Sequence, residues 1–137
     1  MKSREADRVT LIIFELFMGA MAVACGAILM AGFADNVLGM HTSLLDGTWF
    51  DSFFIPGLIL AVAVGGSQFL AAYGLWRREP WDMVASFATG IVLMGWIVIE
   101  VLLLGWIAPH GLQPFCFAYG AIESVMAVRY LRVPVRA

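Results

Sequence analysis

The sequence predicts an all-helical protein, an antiparallel bundle of four transmembrane helices, and three observations carry that prediction. The composition is too apolar to cover a water-soluble globule: 62% of 137 residues are hydrophobic and only 13% charged, against about 25% charged in an ordinary soluble domain. The apolar residues, with a mean hydropathy of +0.91, gather into four runs separated by short polar stretches. All eight Lys and Arg residues fall on one side of the topology those runs define. A chain whose outer surface must itself be apolar is one solvated by lipid. Linkers, low-complexity tracts and internal repeats are not evident, so one membrane domain over 1–137 is expected.

The four runs cover residues 9–33, 53–76, 83–106 and 115–131. A spanning helix needs about 20 residues, within a range of about 17 to 25, so the first three are comfortable and the fourth is short. Arg129 and Arg132 at its end are read as headgroup anchors whose stems lie along the apolar zone. A basic start before an apolar run is also how an export signal begins. Glu15 within the run, and the apolar residues continuing past Cys25 to Phe33, favour an uncleaved first helix.

Orientation follows from the basic residues. Lys2, Arg4 and Arg8 precede the first run, Arg77 and Arg78 separate the second from the third, and Arg129, Arg132 and Arg136 end the chain. Retention of basic residues in the cytoplasm puts both termini and the "WRREPWD" turn inside. The net charge of −2 adds nothing to this, and no basic tract is long enough to suggest nucleic acid as a partner. The lipid bilayer is the partner the composition implies.

The loops sort the helices into neighbours. Residues 34–52 form the longest loop, with turn formers Gly39, Asp46 and Gly47 beside apolar Leu44, Leu45 and Phe50, which predicts a short element resting across the outer mouth. Pro56 falls in the first turn of the second helix, where its missing N–H costs least. The tight turns around Pro80 and at "APHGLQP" make helices two and three, and three and four, antiparallel neighbours. Trp49, Trp76, Trp81 and Trp106 lie at run ends, as interfacial rings do, while Trp96 lies inside a run and needs an acceptor for its indole N–H.

The residues that stand out chemically are the polar ones inside the runs: Glu15, Gln68, Glu100 and Glu123. A carboxylate near the bilayer centre costs several kcal/mol unless neutralised, paired or wetted. At about 100° per residue, each shares a helix face with small or packing residues: Glu15 with Gly19, Ala22 and Gly26; Gln68 with Gly57, Ala61 and Ala72; Glu100 with Ser86 and Gly90; Glu123 with Cys116, Tyr119, Ala127 and Tyr130. Such faces point inward. Their distances from the basic residues predict an inner polar cluster of Glu15, Gln68 and Glu123, and a separate outer group of Glu100, His110 and Gln113.

With no intramembrane base to pair with, at least one glutamate of the inner cluster is expected to carry a proton. Two readings of the cluster stay open: interhelical hydrogen bonding worth about 1 kcal/mol, or a proton, cation or ligand-head site. His41 and His110 lie in loops without metal-ligand spacing and read as solvated, so neither a metal nor a haem is expected. Cys25 and Cys116 lack a C-x-x-C motif and read as apolar thiols of helix packing. No nucleotide loop or catalytic triad is present, and Gly65, Gly66 and Gly74 read as packing glycines.

Four segments carry a family likeness: "FIPGLIL" opening helix two, "RREPW" between helices two and three, "GWIVIE" in helix three, and "LQPFCFAYG" opening helix four. Together they resemble an uncharacterised family of small bacterial four-helix integral membrane proteins, and the chain is broadly similar in shape to the DoxX-like group. The resemblance implies the four-helix fold and a bacterial inner-membrane location, with no cofactor or activity to carry over. The positions that match are Pro56, Gly57, Trp96, Glu100, Gln113 and Pro114. The expected function is non-enzymatic: binding a hydrophobic or lipid-like ligand, or serving as an accessory subunit or homo-oligomer in a larger membrane complex. A proton-coupled transporter or channel subunit and a membrane oxidoreductase are the alternatives.

Overall fold

The computed structural model describes residues 2–32, 41–105 and 112–132. Within them the chain is all-helical, with three helices long and apolar enough to cross a membrane. α1 is Lys2–Met30; α2 is Phe54–Arg77 and α3 is Asp82–Leu104; α4 is Leu112–Arg132. α1 starts seven residues before the apolar run at 9, because its first two turns are held by charged side chains instead of lipid. α4 starts at Leu112, so that Pro114 falls in its first turn, where a missing N–H is harmless.

The helices form two hairpins. The most extensive contacts are α1 on α2 and α3 on α4; α2 also packs on α3 and α1 on α4. Glycines set the spacing within each hairpin. A Cβ on Gly26 would lie 2.5 Å from the Gly57 carbonyl oxygen, and one on Gly57 would lie 2.7 Å from that of Gly26. The second hairpin repeats the device: a Cβ on Gly90 would lie 2.7 Å from the Gly120 carbonyl, and one on Gly120 would lie 2.8 Å from that of Gly90. Backbone lies on backbone at both places, which is how small residues allow apolar helices to associate without a hydrophobic drive.

One irregularity escaped the sequence reading. The middle turn of α2, Leu60–Gly65, is wound as a π-helix, between the α-helical segments Phe54–Ile59 and Gly66–Arg77. The Ser67 hydroxyl donates to the Val64 carbonyl at 2.9 Å, occupying an acceptor there. Single π-turns of this sort recur at functional sites, and Leu60 and Val64 both line the cavity described below.

α2 ends in a Schellman cap. Arg78 adopts φ 56° and ψ 42°, its N–H donates to Leu75 O, and Glu79 N–H donates to Gly74 O at 2.9 Å. Glycine normally fills the left-handed position. Here Arg78 is held by an ion pair to Glu5 at 3.2 Å, and Pro80 then stops the helix.

In cross-section the polarity is inverted. Ile13, Val62, Leu70, Val84, Leu102 and Val125 are all more than half exposed, whereas Glu15, Gln68, Ser86 and Glu123 have no exposed surface. α4 follows the same rule, with Phe115, Ile122 and Leu131 outward and Gln113, Glu123 and Ser124 buried. The expected surface element between helices one and two is a 3-10 turn, Thr42–Leu45, anchored by Leu45 against Leu29 and Phe53.

Candidate functional site

Four helices each contribute one fully buried polar side chain to a single layer. The Gln68 amide donates from Nε2 to Glu123 Oε2 at 2.9 Å, joining α2 to α4. Glu15, on α1, lies within electrostatic reach of Glu123 and has the Ser86 side chain of α3 beside it. The inner cluster of Glu15, Gln68 and Glu123 expected from their depth is therefore brought together. Ser86, assigned by helical spacing to the face of Glu100, belongs to this layer instead. The layer is flanked by a hydroxyl pair, Ser67 and Thr89, 2.7 Å apart between α2 and α3. On the α1–α4 side the Tyr119 hydroxyl donates to Phe14 O at 2.8 Å.

About one helical turn from this layer, away from the basic end, lies a half-enclosed cavity of about 70 Å³. Its floor is Met18, Val64 and Leu93, which also pack together with Ala22 and Tyr119 as a buried apolar core. Met21, Cys25, Leu60, Trp96 and Cys116 form its walls, and Glu100 and Gln113 supply its polar groups. Gln113 Nε2 donates to Glu100 Oε1 at 3.2 Å and to Gly105 O at 3.3 Å, so the start of α4 is tied to the end of α3 as the short connection between them requires. The Trp96 indole, one turn before Glu100, also bonds that carboxyl. His110, the third member expected of this outer group, lies outside the described residues.

Trp96 and Glu100 are shared with a second recess of about 80 Å³, which reaches under the surface turn to Leu45, Thr48 and Phe50. Ile97 and Gln113 are shared with a groove of about 350 Å³ on the outside of the α3–α4 hairpin, lined by Val98, Leu102, Phe117 and Ala118. The cavity thus has apolar neighbours on two sides, separated from it by single side chains. Cys25 and Cys116 face it as free thiols.

The basic end holds a network that sequence reasoning missed. Arg8 pairs with Glu5 and donates to Leu75 O at 3.0 Å. Arg129 pairs with Asp7 at 3.1 Å. The Tyr130 hydroxyl donates to Asp82 Oδ2 at 3.2 Å, and the Arg4 guanidinium stacks over the Tyr130 ring at 4.7 Å. Arg129, read from sequence as a headgroup anchor, also has a partner within the protein, as do Arg4, Arg8 and Arg78. Only the i, i+3 spacing of Glu5 and Arg8 signalled this; the other pairings join distant helices.

Fold and site together define an all-helical protein with an apolar exterior, a buried layer of oxygen-bearing side chains and an apolar cavity closed by a carboxyl–amide pair. No protein-family model, curated protein or solved structure matches the chain, and its function is argued from this geometry.

Proposed function

We propose that the chain is a four-span membrane bundle that binds a hydrophobic molecule bearing a small, uncharged, hydrogen-bonding head. The reading rests on the cavity, whose lining is apolar except for Glu100 and Gln113. Its enclosed volume of about 70 Å³ lies well below the about 300–1,000 Å³ of a site that encloses a whole small organic ligand, so it holds only a slim apolar part of the molecule beside its head. A head that exchanges a hydrogen bond with the Glu100 carboxyl, itself fixed by the Gln113 amide, would be held there. No Lys or Arg lines the cavity to neutralise an anionic head.

That α4 is the fourth span is supported by its 21 residues, about 31 Å at 1.5 Å per residue, and by its outward apolar and inward polar faces. The eight basic residues support an orientation with both termini in the cytoplasm. The family resemblance supports a bacterial inner membrane.

The test is purification in mild detergent followed by mass spectrometry of the small molecules that co-purify. A species released stoichiometrically from the native protein, and lost from Ala22→Trp, which fills the cavity, supports the reading. A molecule retained equally by the filled variant, or no retained molecule, rejects it.

A further inference from the structure

The polar layer poses a problem of its own, independent of the cavity. Both carboxyl oxygens of Glu15, Oε1 of Glu123, Oε1 of Gln68 and Oγ of Ser86 are buried and make no hydrogen bond within ordinary distance and angle limits, although the Ser86 hydroxyl lies close enough to the Glu15 carboxyl to interact with it. Glu15, Gln68, Ser86 and Glu123 have no exposed surface, and each comes from a different helix. Buried polar atoms are nearly always satisfied, and leaving one unmet costs the full desolvation of the group. Five such oxygens on four neighbouring side chains, two of them on a single carboxyl, call for protons or a cation to meet them.

The surroundings supply none. The charged or titratable groups that bear on the Glu15 carboxyl are Glu123 from α4 and Asp82 from α3. Tyr119 is near both glutamates, but its proton is committed to Phe14 O. Arg8 is turned away toward Glu5 and Leu75 O. α2 contributes only the Gln68 amide, which is neutral and gives one of its two N–H groups to Glu123.

We propose that Glu15, Gln68, Ser86 and Glu123 form a binding site for a hard metal cation, which enters in exchange for protons. The donor set is carboxylate, carboxylate, amide and hydroxyl oxygen, with no imidazole or thiol, and oxygen sites of this kind select hard cations. Charge balance in a low-dielectric interior fixes the exchange. Protonated, the two glutamates are neutral and supply the donors the layer lacks. A monovalent ion displaces one carboxyl proton, and a divalent ion displaces two, so the site stays neutral in every state. Glu123 keeps its bond from Gln68 throughout and presents its free oxygen to the ion.

The experiment uses the full chain in detergent and two probes, ²²Na⁺ and ⁴⁵Ca²⁺, with proton release measured in weak buffer. The expected result is saturable binding of one of them at a single site per chain, releasing one proton per Na⁺ or two per Ca²⁺. Glu15→Gln should weaken binding by at least about tenfold, the loss that follows from removing even an outer partner of a metal site. Ser86→Ala removes a ligand while leaving both carboxyls and adds almost no bulk, so it reports even where Glu15→Gln fails to fold. Asp46→Asn, an exposed carboxylate at the far end, should change nothing. Absence of saturable binding, binding that Ser86→Ala and Glu15→Gln leave unaltered, or binding without proton release overturns the proposal. Because the cavity is untouched by these variants, loss of ion binding with retained ligand separates this site from the one above.

Discussion

Replacing Gly90 with alanine tests the hairpin packing directly. The new Cβ would lie 2.3 Å from Ser124 Oγ and 2.7 Å from the Gly120 carbonyl oxygen. Ser124 can rotate away, surrendering its 3.5 Å contact to Phe87 O, but the carbonyl belongs to the α4 backbone. Moving it from 2.7 Å to 3.4 Å, where ordinary contact begins, requires α3 and α4 to part by about 0.7 Å. A gap of that size forfeits about a quarter to a half of the dispersion energy of each contact it opens. Overpacking of this kind costs about 1–3 kcal/mol, while alanine in place of glycine returns about 1 kcal/mol of helix propensity. The net expectation is a loss of up to about 2 kcal/mol. Gly95, on the same helix, has nothing within 4 Å of its would-be Cβ, so Gly95→Ala isolates the propensity effect and should stabilise by about 1 kcal/mol or less. Equilibrium unfolding in mixed micelles, followed by far-ultraviolet circular dichroism, measures both. Gly90→Ala as stable as Gly95→Ala would refute the backbone-on-backbone contact.

Other outcomes follow from the same geometry. Glu123→Gln should retain the fold, since an amide oxygen still accepts from Gln68, whereas Gln68→Leu should cost about 1–3 kcal/mol by stranding the Glu123 carboxyl; chemical denaturation distinguishes them. Arg129→Ala should change stability by no more than about 1 kcal/mol, because its guanidinium is largely exposed and the pair with Asp7 is screened, and thermal unfolding at low and high salt reads it. Arg78→Gly should lose the Glu5 pair yet gain up to about 1 kcal/mol from relief of the left-handed backbone, so its melting temperature should not fall. Reporters fused after Arg78 and Arg136 should read cytoplasmic and one inserted at Gly47 external; an external signal at Arg78 would reverse the orientation.

The helices were legible because apolar runs and the residues between them obey simple length rules; charge and proline moved the starts of α1 and α4, and α1 and α3 stop two or three residues short of their runs, α3 at Leu104 ahead of Gly105 with its positive φ. The convergence of Glu15, Gln68 and Glu123 was legible too, since each shares its face with residues small enough to turn it inward. Ser86 was not, because a serine at that spacing serves equally as a small packing residue for Glu100 about four turns away. The π-turn at Leu60–Gly65 left no signal beyond an alternation of valine and alanine, and it depends on how α2 meets α1 and α3. The pairings Asp7–Arg129 and Tyr130–Asp82 join residues more than forty positions apart, and only the packed helices bring them together.

Within each hairpin the bond is backbone against backbone, distributed along two helices, while between the hairpins at mid-depth it is side chain on side chain: the apolar packing of Met18, Ala22 and Val64 on Leu93 and Tyr119, and the hydrogen bonds of Ser67 to Thr89, Gln68 to Glu123 and Tyr119 to Phe14. Mechanically the molecule is two stiff plates laid face to face. Each of those hydrogen bonds contributes about 0.5–1.5 kcal/mol and can be broken one at a time, whereas peeling a plate apart must undo a continuous close contact. The parting line between the plates passes through both the cavity and the oxygen layer, so a small rocking of one plate on the other changes the volume of the first and the coordination of the second in a single movement.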